Sequence, residues 1–276
     1  MSLYIVATPI GNLSDITLRA IEILKSVDWI AAEDTRHSQR LLSHYEIHTP
    51  CLSLHEHNED ERIKQIITLL AAGKSLALIS DAGTPLISDP GFRLVRAVRH
   101  AHFNVVPIPG ACAAITALCA SGIPTDRFVF EGFLPAKTAA LENHLEKLKQ
   151  EARTIIFYES VHRIAKTLPT IQKILGDERM AVIARELTKS FESIKQGTLK
   201  ELSEFIVNHP EKQKGEFVIV LQGAPVENYS EDKLVDLLKM LLSEVSVKQA
   251  VRLACKITGA NKNVVYAEAI KISLGA

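Results

Sequence analysis

Residues 75–98 read "SLALISDAGTPLISDPGFRLVRAV". The apolar run Leu76–Ile79 leads into a loop of small, hydroxyl-bearing and acidic residues in which Ile-Ser-Asp occurs twice, at 79–81 and 87–89. After Pro90-Gly91 the segment Phe92–Val98 takes on helical spacing. A strand, a polar loop and a helix in that order make half of a βα unit. A strand apolar on both faces belongs in a sheet that helices cover from both sides.

The same alternation runs outward through residues 1–120. Strands are expected at Leu3–Ala7, Trp29–Ala32, Cys51–Leu54, Leu76–Ile79 and Val105–Ile108, and helices at Ile16–Ser26, Ser38–His44, Glu59–Ala72, Phe92–His100 and Ala113–Ala120. That order predicts a parallel α/β sheet, whose ligands sit at the carboxyl ends of the strands. The unusual residues fall at those ends: Thr8-Pro9-Ile10-Gly11-Asn12, Glu33-Asp34-Thr35-Arg36-His37, His55-Glu56-His57-Asn58, Ser80–Pro85 and Pro109-Gly110-Ala111. Singly, each loop also reads as plain turn chemistry. Asp34, Asp81 and Asp89 suit helix N-caps, and His55 and His57 suit a solvated or capping role. Five such loops on one rim point to a pocket.

Composition narrows the class. With 276 residues, 47% of them hydrophobic, the chain can bury a sizeable core, and two domains are likelier than one. Lys+Arg and Asp+Glu are both 32, so contact with nucleic acid must come from a local patch. Cys51, Cys112, Cys119 and Cys255 are scattered without zinc-ligand spacing, so no metal site is expected and free buried thiols in a reducing cytoplasm fit best. The start, "MSLYIVATP", has no charged leader, and no stretch approaches the roughly 20 apolar residues of a membrane span. Neither G-x-x-x-x-G-K-[ST] nor a G-x-G-x-x-G after the first strand occurs, which favours a ligand without pyrophosphate. Small residues such as Ala82, Gly83, Ala111, Ala113 and Ala114 let backbone approach a flat, uncharged base.

A second α/β region is expected over 121–225, with strands at Phe128–Glu131, Thr154–Tyr158, Ala181–Ala184 and Phe217–Leu221 and helices at Ala139–Gln150 and Ile164–Leu175. In the tail, Ser246 can cap a helix with apolar Val247, Ala250, Val251, Ala254 and Ile257, followed by a stop at Thr258-Gly259-Ala260 and a second helix from about Lys262. Lys248, Arg252 and Lys256 recur every four residues and share one stripe, which reads either as a solvated face or as an RNA contact.

The segments "VATPIGNLSDITLRA", "AAEDTRHSQRLL", "HEHN", "SDAGTPLISDPG", "PIPG", "SGIPTDRFVFEGFLP", "FYESVHR", "ARELTK" and "KGEFVIV" resemble, in order, the motifs of the ribosomal RNA small subunit methyltransferase I family. These are bacterial 2'-O-ribose cytidine methyltransferases with the fold of the tetrapyrrole methylases. The resemblance runs from Leu3 to about Gly223, and the tail from Glu231 resembles the family's helical extension. It implies two α/β domains of the tetrapyrrole methylase type, 1–120 and 121–225, with a donor-binding cleft between them, and a helix-turn-helix-like extension over 226–276.

The resemblance further implies S-adenosyl-L-methionine as methyl donor, 16S ribosomal RNA or the small ribosomal subunit as partner, a homodimer, no membrane and a cytoplasmic location. Carried over residue by residue, it implies a donor pocket of Pro9, Asp81, Gly83, Thr84, Pro109, Gly110, Ala113 and Ala114, joined from the second domain by Tyr158, Leu187 and the strand start Gly215-Glu216-Phe217. One departure stands out: after Pro109-Gly110 the family usually has Pro-Ser-Ala, and this chain has Ala111-Cys112-Ala113.

Methyl transfer from a sulfonium mainly needs alignment, and a ribose hydroxyl needs a proton acceptor. Asp34, Glu33 and Glu159 are the candidate bases, and Arg36, Arg185 and Lys189 the candidate phosphate ligands. Two other readings stay open. The shared scaffold suits carbon methylation of a precorrin-type tetrapyrrole, and a non-catalytic RNA-binding assembly factor would need no donor.

Overall fold

The computed structural model describes residues 1–55, 57–225 and 231–274, so Glu56 of the His55–His57 loop and the 226–230 segment lie outside the described residues. Contacts divide the chain into a compact unit Met1–Gly223 and a second unit Ala224–Ala276.

The first sheet is built from β1 (Ser2–Val6), β2 (Trp29–Ala32), β3 (Cys51–Ser53), β4 (Leu76–Ile79) and β5 (Asn104–Ile108), in the order β3-β2-β4-β1-β5. Every pairing is parallel, with Leu3 opposite Leu76 on one side and Val105 on the other. The helices are α1 (Leu18–Ser26), α2 (Thr35–His44), α3 (Glu59–Ala71), α4 (Phe92–His100) and α5 (Ala113–Ala120). Two apolar layers form on the two faces of this sheet. Leu24 and Leu42 of α1 and α2 pack with Val6, Ile30 and Ile79, while Ile66, Leu70, Leu94 and Val98 of α3 and α4 pack with Leu3, Leu76 and Leu78. All four residues of β4 are buried, as its apolar sequence requires.

Helix α2 begins three residues before the expected Ser38, because Asp34 accepts the N–H groups of Arg36 and His37 and so starts the helix at Thr35. The expectation of buried thiols is not met: Cys119 is exposed, and Cys51, Cys112 and Cys255 are partly so.

The second sheet contains β6 (Phe128–Phe133), β7 (Thr154–Glu159), β8 (Met180–Arg185), β9 (Ser193–Thr198) and β10 (Phe217–Leu221), in the order β6-β7-β10-β8-β9. Only the β6–β7 pair is parallel. Strand β6 runs past the expected Glu131 through a register shift at Gly132, which has φ +64°. α6 (Thr138–Leu148), α7 (Ile164–Leu175) and α8 (Leu199–Asn208) cover one face, with Leu145, Ile171 and Leu202 packed on Phe157 and Ile219. The other face packs on α5, where Ala114, Ala117 and Leu118 meet Ile156, Val182 and Val220. Helix α5, which follows β5 of the first sheet in the chain, thus packs on the second sheet, with Ile10 of the loop after β1 in the same apolar cluster.

In this region a strand and an α-helix exceed the sequence-based expectation. The polar β9, "SIKQGT", pairs with β8 alone at the sheet edge. Helix α8 starts at a capping box in which Glu201 N–H donates to Thr198 Oγ1 at 3.2 Å and Thr198 N–H to Glu201 Oε2 at 2.9 Å.

The second unit is three-helical: α9 (Glu231–Leu242), α10 (Val247–Thr258) and α11 (Lys262–Leu274). Leu234, Leu238, Val251, Ala254, Val265 and Ala269 form its core. Ser246 N–H donates to Gln249 Oε1 at 3.3 Å at the start of α10, and Gly259, with φ +68°, ends it. Contrary to the expected apolar stripe, Ile257 in the last turn is exposed. Among the described residues no helix is long and apolar enough to cross a membrane.

Candidate active site

Strands β1 and β4 are neighbours although far apart in sequence, so the loops leaving their carboxyl ends meet. Thr8 N–H donates to Gly83 O at 2.8 Å, and Gly83 N–H to Thr8 O at 3.0 Å. Gly83 sits at φ +84°, a conformation that favours glycine. Thr84 Oγ1 donates to Ala111 O at 3.0 Å, linking this loop to the one after β5. Asp81 Oδ1 accepts the Asp34 N–H at 3.1 Å and so ties in the loop after β2. The Asp34 carboxylate itself serves α2, and the Arg36 and His37 N–H groups hold it below the ordinary carboxylate range.

The facing wall comes from the second sheet. Tyr158 on β7 accepts the Ala114 N–H at 3.1 Å, with its ring held edge-on by Phe130 and Phe133, and burial pushes its hydroxyl well above the ordinary tyrosine range. Glu159 is buried; its Oε1 accepts Ser160 N–H at 2.8 Å and lies 3.3 Å from Arg163 Nε. Its Oε2 has no hydrogen-bond partner. Lys189 pairs with Glu186 at 3.0 Å and Glu216 at 2.8 Å. Leu86, Ser88, Glu186 and Thr188 all have positive φ, between 51° and 74°. Backbone strain of this kind in non-glycine residues gathers at functional sites.

Between these walls lies a cavity of about 590 Å³. Asp81, Gly83, Thr84 and Ala113 line it from the first sheet's loops, and Tyr158, Leu187, Gly215 and Phe217 from the second. Glu33 and Glu159 also line it; Asp34 does not. Pro109, Gly110 and Ala114 are absent from its walls. A Cβ on Gly110 would stand 2.8 Å from Ala7 Cβ, so that glycine lets the loop approach β1. Pro9 lines a second cavity of about 320 Å³, which shares Ile10, Asp81, Ala82, Lys189 and Glu216 with the first.

Of the expected phosphate ligands, Lys189 lines both cavities, the Arg36 side chain is 95% exposed, and Arg185 is committed to Lys214 O at 2.6 Å and Phe191 O at 3.3 Å. Lys248, Arg252 and Lys256 are exposed on α10 in the second unit. No group of His, Cys, Asp or Glu suited to a metal ion occurs among the described residues, and His55 and His57 meet only edge to face.

Ser88, Phe133 and Glu186, outside the expected site, line the larger cavity, as do Ile10 of the expected rim loop and Asp89, which does not cap α4, since Gly91 holds that position. The duplicated Ile-Ser-Asp was a signal for Asp89. Burial, reinforced by the Asp81 charge, pushes its carboxyl up to about 6. Six carboxylates, those of Glu33, Asp81, Asp89, Glu159, Glu186 and Glu216, line this cavity against the single cation Lys189.

Two α/β sheets sharing a cleft at their strand ends define a methylase scaffold. Residues 2–203 match the tetrapyrrole (corrin/porphyrin) methylases, and residues 230–273 match the RsmI C-terminal HTH domain. The chain is 53% identical to the ribosomal RNA small subunit methyltransferase I of Haemophilus influenzae, over 96% of this chain and 94% of that one. It is 47% identical to that of Escherichia coli O157:H7, over 98% and 94%. Uroporphyrin-III-C-methyltransferase from Thermus thermophilus shares the fold, with a TM-score of 0.55 at 16% identity, over 80% of this chain and 94% of that one. The chain belongs to the tetrapyrrole methylase family and, within it, to the ribosomal RNA small subunit methyltransferase I family.

Proposed function

We propose that the protein transfers the methyl group of S-adenosyl-L-methionine to the 2'-hydroxyl of a cytidine in the 16S RNA of the small ribosomal subunit, in the cytoplasm. The observation that carries this is the acidic cleft at the strand ends, in a chain about half identical to rRNA methyltransferases. Six carboxylates against one lysine suit a cationic sulfonium donor. The left-handed Gly83 turn and the small Ala82 and Ala113 leave space for close backbone approach to a flat base, and Leu187 and Phe217 add apolar wall.

When bound, the donor supplies an electrophilic methyl group whose positive charge disperses during transfer. The chain's own task is alignment and proton acceptance. Asp34 is occupied in capping α2. Glu159 is anchored through Oε1 by Ser160 and Arg163, and its buried, unpaired Oε2 would take the ribose proton after a side-chain rotation that opens it to the cleft, with Glu33 as the second carboxylate on the cleft wall. A homodimer belongs to the same proposal, on the strength of the family resemblance, and light scattering tests it.

The test of the activity is incubation with radiolabelled donor and either naked 16S RNA or assembled subunits, followed by nucleoside analysis. The expected product is 2'-O-methylcytidine, and a 2'-deoxy nucleotide at the target abolishes it. Label on a base, or normal transfer to the deoxy substrate, overturns ribose chemistry. Failure to bind the donor by calorimetry revives the non-catalytic assembly factor.

A further inference from the structure

The smaller cavity has a chemistry of its own. One wall is α2, where His37, Arg40 and Leu41 lie three and four residues apart and so share a face. The facing wall is the apolar edge of the β1 loop, with Pro9, Ile10 and Leu13. Arg40 is exposed, and its guanidinium makes no hydrogen bond or ion pair with any described residue. The acids here are engaged: Asp81 holds the Asp34 N–H, and Glu216 pairs with Lys189. Asp81 keeps its negative charge, since an N–H donor does not neutralise it, so the two cations and two carboxylates of this cavity balance and Arg40 is its unpaired guanidinium, whereas the adjoining cleft is acidic.

Ser38 supplies an independent sign of a ligand. It lines the cavity and is 4% exposed, and its Oγ has no hydrogen-bond partner among the described residues. Its N–H is used within the helix, donating to Asp34 O at 3.0 Å. Buried hydroxyls are nearly always paired, and an unpaired one in a cavity wall costs free energy until a ligand meets it.

We infer that this cavity holds one nucleotide of the RNA next to the one whose ribose is methylated. Its phosphate lies on Arg40, its base rests on Pro9, Leu13 and Leu41, and Ser38 Oγ, after a change of χ1 rotamer, hydrogen-bonds its sugar or base. A volume of about 320 Å³ is at the small end for ligand pockets, suited to one unstacked nucleotide. The inference rests on the proposed ribose methylation and deepens it by naming where the substrate strand runs.

The test compares full-length Ser38→Ala and Arg40→Gln with the unaltered protein, measuring Tm, donor affinity by calorimetry, and KM and kcat for 16S RNA across salt. Ser38→Ala should keep or raise Tm, keep donor affinity, and raise KM for RNA about three- to tenfold. Arg40→Gln should raise KM and make the salt dependence less steep by about one unit of log–log slope. Unchanged KM in both variants overturns the inference, as does a lowered Tm for Ser38→Ala with unchanged KM, which marks a structural hydroxyl. If the unaltered protein binds donor yet methylates no RNA, ribose methylation itself is overturned. Direct RNA binding by Arg40→Gln, weakened or equal to that of the unaltered protein, then decides the cavity.

Discussion

The Tyr158 hydroxyl accepts the Ala114 N–H at 3.1 Å, so a side chain of the second sheet closes the first turn of α5. An unpaired N–H at a buried helix start costs roughly 1–3 kcal/mol. Tyr158→Phe should destabilise the protein by about that much in urea unfolding and weaken donor binding. Unchanged values of both would remove this contact from the site.

Gly83 and Gly110 should respond differently to alanine. At Gly83, φ +84° makes an L side chain strained, at about 1 kcal/mol, and the new Cβ would press on Ile10 Cγ2 at 3.3 Å. Both atoms border the cleft, so donor affinity should fall in protein that stays folded. At Gly110 a Cβ would meet Ala7 Cβ at 2.8 Å, so the main loss should be stability. Calorimetry and thermal unfolding of both variants check the contrast.

The three acids separate by kinetics. Glu159→Gln should lower kcat by about 10²–10⁴ with donor affinity kept, the range expected for loss of a general base. Glu33→Gln should cost less. Asp34→Asn keeps a good N-cap and should leave the thermal midpoint unchanged, while Asp34→Ala, which removes the cap, should lower it. A full effect at Asp34→Asn with none at Glu159→Gln would reverse the assignment.

Asp89 predicts a pH dependence. Its carboxyl rises from 3.8 to about 6 on folding, so the folded state binds the extra proton between those values. Its contribution to stability is therefore most favourable at or below about pH 4 and is lost as pH rises through 6. Asp89→Asn should stabilise the protein near pH 7 by about 1–2 kcal/mol, allowing for partial exposure, and should change little near pH 4. Urea midpoints at the two pH values test this. Because a cationic donor favours the ionised form, donor affinity of the unaltered protein should also fall as pH drops below about 6.

The exposed stripe of Lys248, Arg252 and Lys256 on α10 predicts a separable RNA contact. Changing all three to Glu should leave donor binding intact, weaken subunit binding and flatten its salt dependence. Wild-type methylation across salt concentrations would make the stripe a solvated face only.

The parallel sheet over 1–120 was legible because its strands are short apolar runs bounded by Gly, Pro and polar loops, and local hydrophobicity alone marks such elements. The second sheet was legible only in its apolar strands. β9 carries too little apolar side chain to signal itself and exists because β8 offers an unpaired edge. At the site, sequence determined which loops gather at the rim, since chain order and the strand-end rule place them there. It offered Asp34 both as a helix cap and as a base without choosing between them, and it gave no sign that Glu159 is buried with one oxygen unpaired, because both are acids following an apolar run. Asp34 is held by the near neighbours Arg36 and His37 and Glu159 by Ser160 and Arg163, whereas Tyr158 on Ala114, Asp81 on Asp34 and Glu216 on Lys189 join residues far apart in the chain. Hydrogen bonds and desolvation act over a few ångströms of space whatever the separation along the chain, so local contacts such as the Asp34 cap are legible in sequence, whereas burial and contacts between distant residues are decided by the tertiary structure.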